Sequence, residues 1–363
     1  MRTVQYQLPN LDLLLDRQSR PDYKINPHES QLAEEFNSFL NKLSSIVSPF
    51  RRKEIGAVQL PLCAAAYAPD AGLHQLRVYL DYFIMLTFVE IMSDASNPQA
   101  GMFDLDFMKE LVYVCAEDRP FDTSEHKDPL VELTARFVRQ CFPPLPPFYR
   151  ADVIQGTVLF FEAAAQEVHD RTNSTSFTVD SYLAHRRNVV AIKPTVALNR
   201  WISGIRLSQE ILQTPAFMGL MESTTDLIAL CNTVPNQNMH QDLLSYKKEK
   251  EKGEDIHNVV SVTMVDPTVP VEPGNIQAAL DFTAGKVLEA YTRFQSCKLD
   301  ALAQIAPDDT ETHAEVLRYA SALLDMVDGN IVWHIDPTTE RYHIFETPEE
   351  RANWLVSICV KDR

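Results

Sequence analysis

Apolar residues recur at steps of three and four along most of this chain, in segments separated by proline-rich or polar stretches. That spacing places them on one face of an α-helix, whereas the alternation typical of strands is scarce. The breaks, such as FPPLPPF, RTNSTSFT and MVDPTVPVEPG, are too short and too little biased to be linkers between domains. The pattern predicts about ten helices in one all-α domain over residues 61–363, with residues 1–60 as an N-terminal segment that packs on it.

Charge and cysteine content narrow the function classes. A net charge of −17 argues against a nucleic-acid partner, because phosphate backbones need clustered Lys and Arg. The six cysteines include no CxxC pair, so neither a zinc site nor a disulfide scaffold is indicated. The N-terminus lacks the apolar region of a signal peptide, and no stretch approaches the ~20 apolar residues of a membrane span. We therefore expect a cytoplasmic protein without stable membrane insertion.

One predicted helix combines an apolar face with two carboxylates. The segment His74 to Asp94 carries side chains at steps of three and four, on one continuous face. These are Tyr79, Phe83, Thr87, Glu90 and Asp94. A buried, unpaired carboxylate is costly. Glu90 and Asp94 therefore either reach solvent at the helix end or meet cations at the mouth of a cavity.

A second set of oxygen-bearing side chains lies in HQDLLSYKKEKEKG. Gln241, Ser245 and Glu249 follow one another at steps of four, which stacks them along one helix face at about 6 Å per step. All three can offer oxygen to a hard cation. The simpler interpretation is a solvated Lys/Glu run. Pro235, a few residues earlier, is expected to end the preceding helix, with a restart near His240.

Two further segments carry arginines. SYLAHRRNVVAIKPTVALNRW contains Arg186 and Arg187 and is predicted to break around Lys193-Pro194. GNIVWHIDPTTERYHIF brings an aromatic residue close to an Arg-Tyr pair. Each set alone is compatible with solvated or rim-packed side chains. Together with the carboxylates, they fit a site that holds several Mg²⁺ ions and a diphosphate, since Mg²⁺ takes oxygen ligands and Arg offers forked donors.

The motifs, in their order and wording, resemble the class I terpene synthases, and most closely the fungal, basidiomycete-like sesquiterpene synthases. The resemblance covers most of the chain. It rests on INPH, AAAYAPDAGLHQLRVYLDYF, RRNVVAIKP, QDLLSYKKEKEKGEDIHNVV and ERY. It implies a single-domain helical bundle around a central apolar cavity.

The resemblance also implies roles for particular residues. The metal ligands would be Glu90, Asp94, Gln241, Ser245 and Glu249. The groups that bind diphosphate and support its departure would be Arg187, Lys248, Arg341 and Tyr342. The substrate pocket would include Phe83, Thr87, Phe88, Ala191 and Trp333. For the three aromatic residues of that last set, plain core packing is an equally open interpretation.

Three positions depart from the family pattern. The aspartate-rich motif reads EIMSD, so Ile91 stands where a second carboxylate is usual. Gln241 is one methylene longer than the usual Asn or Asp. Ala191 stands where glycine is usual, and alanine restricts the backbone more.

The implied activity is that of a Mg²⁺-dependent terpene synthase, with up to three ions and Mn²⁺ as an alternative metal. It would ionise a linear prenyl diphosphate, farnesyl diphosphate in the first place, to a sesquiterpene. Capture of water would instead give acyclic alcohols such as linalool or nerolidol. A prenyl-elongating synthase would need a second aspartate-rich motif, which is absent. A degenerate member that only binds an isoprenoid or a protein partner is a further alternative, and a homodimer is open.

Overall fold

The computed structural model describes residues 2–20, 23–95, 104–173, 176–231, 246–247, 258–335 and 344–360. Within these ranges it bounds sixteen α-helices, ten of them eleven residues or longer, and one 3₁₀ turn at Arg17–Ser19. The prediction of an all-α bundle is thereby confirmed. None of the described helices combines the length and apolar character needed to cross a bilayer.

The helices follow one another in this order. The first half of the chain has α1 Leu11–Leu14, α2 Glu29–Leu43, α3 Pro49–Ala57, α4 Leu60–Tyr67, α5 Leu73–Ala95, α6 Leu105–Cys115, α7 Pro129–Cys141 and α8 Pro147–Asn173. The second half has α9 Val179–Val189, α10 Ile192–Ile202, α11 Gln209–Leu212, α12 Pro215–Cys231, α13 Val259–Val265, α14 Ile276–Ala303, α15 Thr310–Ile335 and α16 Pro348–Asn353.

A two-stranded antiparallel sheet joins the two ends of the chain, which the sequence did not predict. Strand β1, Arg2–Gln7, pairs with β2, Leu355–Val360. The amide of Leu8 extends the pairing with a 2.7 Å hydrogen bond to the carbonyl of Trp354. Each strand is only six residues long, and its partner lies at the opposite end of the sequence. Local periodicity carries no information about such a pairing.

Helices α4 and α5 are buried on nearly all sides. All eight residues of α4 are buried, so the helix has no polar face. Helix α5, predicted over residues 74–94, is confirmed at Leu73–Ala95. Helix α4 packs on both α5 and α15, α8 packs on α10, and α12 packs on α14. The result is a closed bundle with α4 and α5 at its centre.

The N-terminal segment holds the C-terminal end of α4. The side-chain amide of Asn26 donates to the carbonyls of Ala68 and Ala71, each at 2.9 Å. The Tyr23 hydroxyl donates to the carbonyl of Ala66 at 2.9 Å. Helix ends leave carbonyls without intrahelical donors, and these bonds supply the missing partners. The end of α4 is therefore held in one position.

Ion pairs fasten the same segment to α15. The Arg17 and Arg20 side chains donate to the carboxylate of Asp328 at 3.0 and 2.8 Å. Asp328 is almost fully buried, and burial of a carboxylate is tolerated when cations pair with it. The contact joins residues about three hundred positions apart.

The break between α9 and α10 lies earlier than predicted. Helix α9 ends at Val189 and α10 begins at Ile192, whereas the sequence suggested a break at Lys193-Pro194. Pro194 is instead the third residue of α10. In the first turn of a helix the missing N–H of proline costs nothing, because that donor has no intrahelical acceptor.

Asp81 of α5 makes stability depend on pH. Burial raises the pKa of its carboxyl to about 7, an effect that Glu35 reinforces and Arg136 opposes. The folded protein therefore holds this proton more tightly than the unfolded chain, and the free energy of unfolding falls as pH rises from about 4 to about 7. We expect Asp81→Asn to raise the free energy of unfolding near pH 8 by about 2 kcal/mol, with little change near pH 4.

Urea unfolding followed by circular dichroism near both pH values measures this difference. Asp300→Asn, which replaces an exposed carboxyl on α14, is the matched control. If the free energy of unfolding depends on pH in Asp81→Asn as it does in the wild type, Asp81 is not the group responsible.

Candidate active site

An apolar cavity opens between α4, α5, α15 and the link from α9 to α10. It encloses about 440 Å³ of empty space, including its open mouth. Its lining is formed by Leu60, Cys63, Tyr67, Phe83, Leu86, Thr87, Glu90, Val190, Ala191, Ile192, Thr195 and Trp333.

Five residues expected at the site line this one cavity, although they come from regions of the chain far apart. They are Phe83, Thr87, Glu90, Ala191 and Trp333. Glu90 is the one carboxylate in the described lining and is 3 % exposed. The Thr87 hydroxyl donates to the carbonyl of Phe83 at 2.9 Å, so it is engaged within its own helix. The cavity is thus an apolar chamber with a single acidic group in its described wall.

Phe88, expected among the pocket aromatics, lies elsewhere. It packs against Phe39 and Phe137, with ring centroids at 6.4 and 5.7 Å. At 100° per residue its side chain leaves α5 on the side away from Phe83 and Thr87. Phe88 therefore belongs to the core between α2, α5 and α7.

Three aromatic rings form one wall of the cavity. Tyr67 meets both Phe83 and Trp333 edge to face, with centroids at 5.7 and 6.5 Å. The indole N–H of Trp333 donates to the carbonyl of Val58 at 2.9 Å. The hydroxyl of Tyr67 donates to the side-chain oxygen of Asn330 at 2.9 Å. With their polar atoms bonded, the rings present π faces and edges to the cavity.

Tyr67 was not singled out in the sequence, although a signal for it exists. LPLCAAAY, at the start of one quoted motif, has no polar residue at any helical position. A helix that is apolar all round has to be buried on every side. Its terminal tyrosine, the one hydroxyl in the segment, then needs a buried partner.

Arg187 lies in the last turn of α9, four residues before Ala191, and is bound by a carboxylate on α12. Its guanidinium makes two hydrogen bonds to Asp226, at 2.6 and 2.8 Å. Arg293 of α14 also pairs with Asp226 and donates to Ser223 at 2.8 Å. The bond to Asp226 raises the pKa of Arg187 and keeps it charged. Two of its five N–H donors are used, so others remain for an anion.

Asp226 is a functional candidate that the sequence analysis missed. It is buried and sits in STTDLIALC, where every neighbour is apolar or a small hydroxyl. A lone carboxylate in an otherwise apolar helix indicates a cationic partner. That signal was present, but its partners on α9 and α14 were not predictable.

Ala191 has a backbone conformation that suits glycine better. Its φ of 52° and ψ of 24° place it in the left-handed region, where it forms the N-cap of α10. This conformation costs an L-residue about 1 kcal/mol. Alanine also stabilises a protein relative to glycine, because it lowers the conformational entropy of the unfolded chain. Where φ is positive the strain is the larger effect, so we expect Ala191→Gly to raise the free energy of unfolding by up to about 1 kcal/mol.

Thermal unfolding compares this variant with Ala284→Gly. Ala284 lies within α14, where the backbone is right-handed, so glycine there is expected to lower stability by about 1 kcal/mol. Effects of the same sign in the two variants would show that Ala191 is not strained.

An ion pair joins two segments that the sequence marked separately. Lys247 follows Ser245 by two residues and precedes Lys248 and Glu249. It is buried and donates to Glu346 at 2.6 Å. Glu346 follows Tyr342 by four residues. The neighbourhood of the second oxygen-bearing motif is thus linked to the stretch after the Arg-Tyr pair.

Several expected site residues lie outside the part of the chain that the structure describes. These are Gln241, Ser245, Lys248, Glu249, Arg341 and Tyr342, the whole stretch around Pro235, and the side chain of Asp94. Within the described residues, no three His, Cys, Asp or Glu side chains are grouped to hold a metal ion. Glu90 supplies one oxygen donor at the cavity, the ligand type that Mg²⁺ prefers.

The sequence is similar to known proteins along most of its length. The sequence profile "Terpene synthase family 2, C-terminal metal binding" matches residues 81–292. Sesquiterpene synthase 3 of Postia placenta is 27% identical over 341 residues, covering 92% of this chain and 84% of that protein. Sesquiterpene synthase Agr1 of Cyclocybe aegerita is 24% identical over 353 residues, covering 97% and 94%.

The fold is shared with solved structures at low identity. The linalool/nerolidol synthase of Streptomyces clavuligerus, solved with 2-fluorogeranyl diphosphate, superposes with a TM-score of 0.68 at 15% identity, covering 88% of this chain and 97% of that one. An α-eudesmol synthase gives a TM-score of 0.67 at 16% identity, covering 87% and 96%. With the profile spanning more than half of the chain, this protein belongs to terpene synthase family 2 and is a terpene synthase.

Proposed function

We propose that the enzyme is Mg²⁺-dependent and ionises a linear prenyl diphosphate, farnesyl diphosphate in the first place, to release a sesquiterpene and diphosphate. The observation that carries this proposal is the cavity itself. Its described wall is apolar and aromatic apart from Glu90 and two threonines. Arg187, which pairs with Asp226, stands four residues before Ala191 of that wall. A hydrocarbon tail fits the wall and a diphosphate fits the arginine.

Arg187 is proposed to bind the diphosphate. Asp226 aligns its guanidinium from one side, which leaves N–H donors for phosphate oxygens in a forked geometry. As the carbon–oxygen bond breaks, negative charge grows on the leaving diphosphate, and a fixed cation stabilises that charge. Lys248, Arg341 and Tyr342 are proposed as further donors to the same group.

The metal ligands are proposed to be Glu90, Asp94, Gln241, Ser245 and Glu249, with up to three Mg²⁺ ions and Mn²⁺ as the alternative. When bound, these ions neutralise diphosphate charge and so assist its departure. The carboxylate of Glu90 at the cavity supports this assignment. Gln241 has an amide and Ser245 a hydroxyl, and both groups offer an oxygen ligand.

The apolar wall is proposed to hold the allylic cation that ionisation leaves behind. The π faces of Tyr67, Phe83 and Trp333 can stabilise a cation at close range. Exclusion of bulk water then lets the cation fold and lose a proton instead of being hydrated. The product is a hydrocarbon when proton loss ends the reaction and an alcohol when water does.

The test is incubation of the purified protein with geranyl, farnesyl and geranylgeranyl diphosphates, with Mg²⁺ or with a chelator, followed by analysis of extractable products. We expect cyclic hydrocarbons from farnesyl diphosphate with Mg²⁺ and none with the chelator. Acyclic alcohols as the main products would favour the linalool/nerolidol type of reaction. Diphosphate binding without turnover of any substrate would contradict the proposal and indicate a binding protein.

A further inference from the structure

A second, polar pocket lies behind the aromatic wall of the cavity. It encloses about 720 Å³ of space, part of it open to solvent, next to the link between α4 and α5. Its polar lining consists of Asp70, Asn199, Ser203, Arg318, Ser321 and Asp325. A polar pocket of this size holds several water molecules. The pocket therefore offers space and hydrogen-bonding groups for water close to the proposed cation chamber.

The charge state of Asp325 adds to this hydration. Burial, together with Asp328 and Asp70, raises the pKa of Asp325 to about 6. The carboxyl is accordingly ionised at neutral pH for most of the time. A partly buried carboxylate needs hydrogen-bond donors, and water in the pocket can supply them.

Tyr67 is the one residue that the two described linings share. Its ring faces the apolar cavity, where it meets Phe83 and Trp333. Its carbonyl lies on the side of the polar pocket and accepts a long, 3.5 Å hydrogen bond from the side chain of Asn199. Tyr67 thus contributes to the walls of both the apolar cavity and the polar pocket.

The position of Tyr67 is held from several sides. Its hydroxyl donates to Asn330, which lies on α15. The preceding residue, Ala66, is bonded to Tyr23 through its carbonyl and touches the helix surface at Gly329. Tyr67 itself is 3 % exposed. A side chain that is packed and bonded in this way forms a stationary barrier on the time average.

We propose that Tyr67 is a specificity-determining residue that keeps water of the polar pocket away from the carbocation in the apolar cavity. The inference rests on the proposed function. In the reaction that Tyr67 prevents, a lone pair of water forms a carbon–oxygen bond to the cation, and the oxonium gives a proton to the released diphosphate or to solvent. In the reaction that it permits, a carbon–hydrogen bond of the cation breaks, the electron pair forms an alkene, and the proton passes to the released diphosphate.

Three variants test the barrier. Tyr67→Ala removes the ring, whereas Tyr67→Phe keeps the ring and loses only the hydroxyl. Tyr79→Ala is the matched control, since Tyr79 is fully buried, packs on Phe83 at 4.6 Å between centroids, and lines neither pocket. We expect the oxygenated fraction of the total product to rise at least about fivefold in Tyr67→Ala and to stay within about twofold of wild type in the other two.

The readouts distinguish a lost barrier from general damage. Reaction in water enriched in oxygen-18 identifies oxygen that comes from solvent, and circular dichroism checks the fold. If Tyr67→Ala does not fold, Tyr67→Leu carries the same expectation with a smaller loss of packing. An unchanged oxygenated fraction in the folded small-side-chain variant, or an equal rise in Tyr79→Ala, overturns the proposal.

A measurement without turnover separates this proposal from the proposed function. High-resolution crystal structures of the wild type and Tyr67→Ala are expected to show ordered water running from the polar pocket into the apolar cavity in the variant alone. A wild-type protein that yields no product from any prenyl diphosphate contradicts the proposed function, and the crystal structures then decide on the barrier. If the apolar cavity contains the same ordered water in both proteins, or none in either, the proposal that Tyr67 is a barrier is wrong.

Discussion

Replacing Arg187 with alanine is expected to lower turnover of the prenyl diphosphate at least about a hundredfold, the usual effect of removing one fixed donor from a developing anion. Arg187 is four residues from the cavity at Ala191, and Asp226 orients it through two hydrogen bonds. Arg187→Lys retains the charge but loses the planar fork, so it should recover only part of the rate. Single-turnover and steady-state product assays at saturating Mg²⁺ measure both effects.

Arg293→Ala is the matched control for this prediction. Arg293 binds the same carboxylate but belongs to α14 and is not next to the cavity, so its loss should cost less than about tenfold in rate. Thermal unfolding of both variants measures the structural share of each arginine, since both lose a partner for the buried Asp226. Equal rate losses in Arg187→Ala and Arg293→Ala would mean that Arg187 acts only by holding Asp226.

Gly329→Ala is expected to destabilise the fold by about 2–4 kcal/mol, even though alanine is the better helix former. A Cβ at this position would lie 2.4 Å from the carbonyl oxygen and 2.6 Å from the carbonyl carbon of Ala66. Both atoms belong to the backbone of α4, so no side-chain rotation relieves the overlap. Helices α4 and α15 have to separate, which also displaces Tyr67 and Trp333 in the cavity wall.

The same substitution at Gly285 is the control. Gly285 lies within α14, and a Cβ there would meet no atom within 4 Å. Without a clash the intrinsic preference decides, and Gly285→Ala should stabilise the protein by up to about 1 kcal/mol. Chemical denaturation measures both changes. Stabilisation in both variants would show that α4 and α15 tolerate a wider separation than their packing indicates.

The helices, and the face that α5 turns to the cavity, could be predicted because they follow from local spacing. The segment 74–94 is a helix as expected, and its three-four periodicity places Phe83, Thr87 and Glu90 together at the cavity. Phe88 was expected in the pocket as well, but it is next to Thr87 in the sequence and therefore points to another side of the helix, where its ring packs in the core. The break before α10 was misplaced because proline is also favoured in the first turn of a helix, where Pro194 lies.

Periodicity specified which face of each helix is apolar and where acids and amides stand on it, since these are properties of the chain within a few turns. Only the tertiary structure shows which helix packs on each apolar face. It set α4 against both α5 and α15, placed Asp226 between two arginines, and made one tyrosine part of the walls of both an apolar cavity and a polar pocket. These contacts join residues many turns apart, and no local pattern encodes which of several equally apolar partners will be chosen.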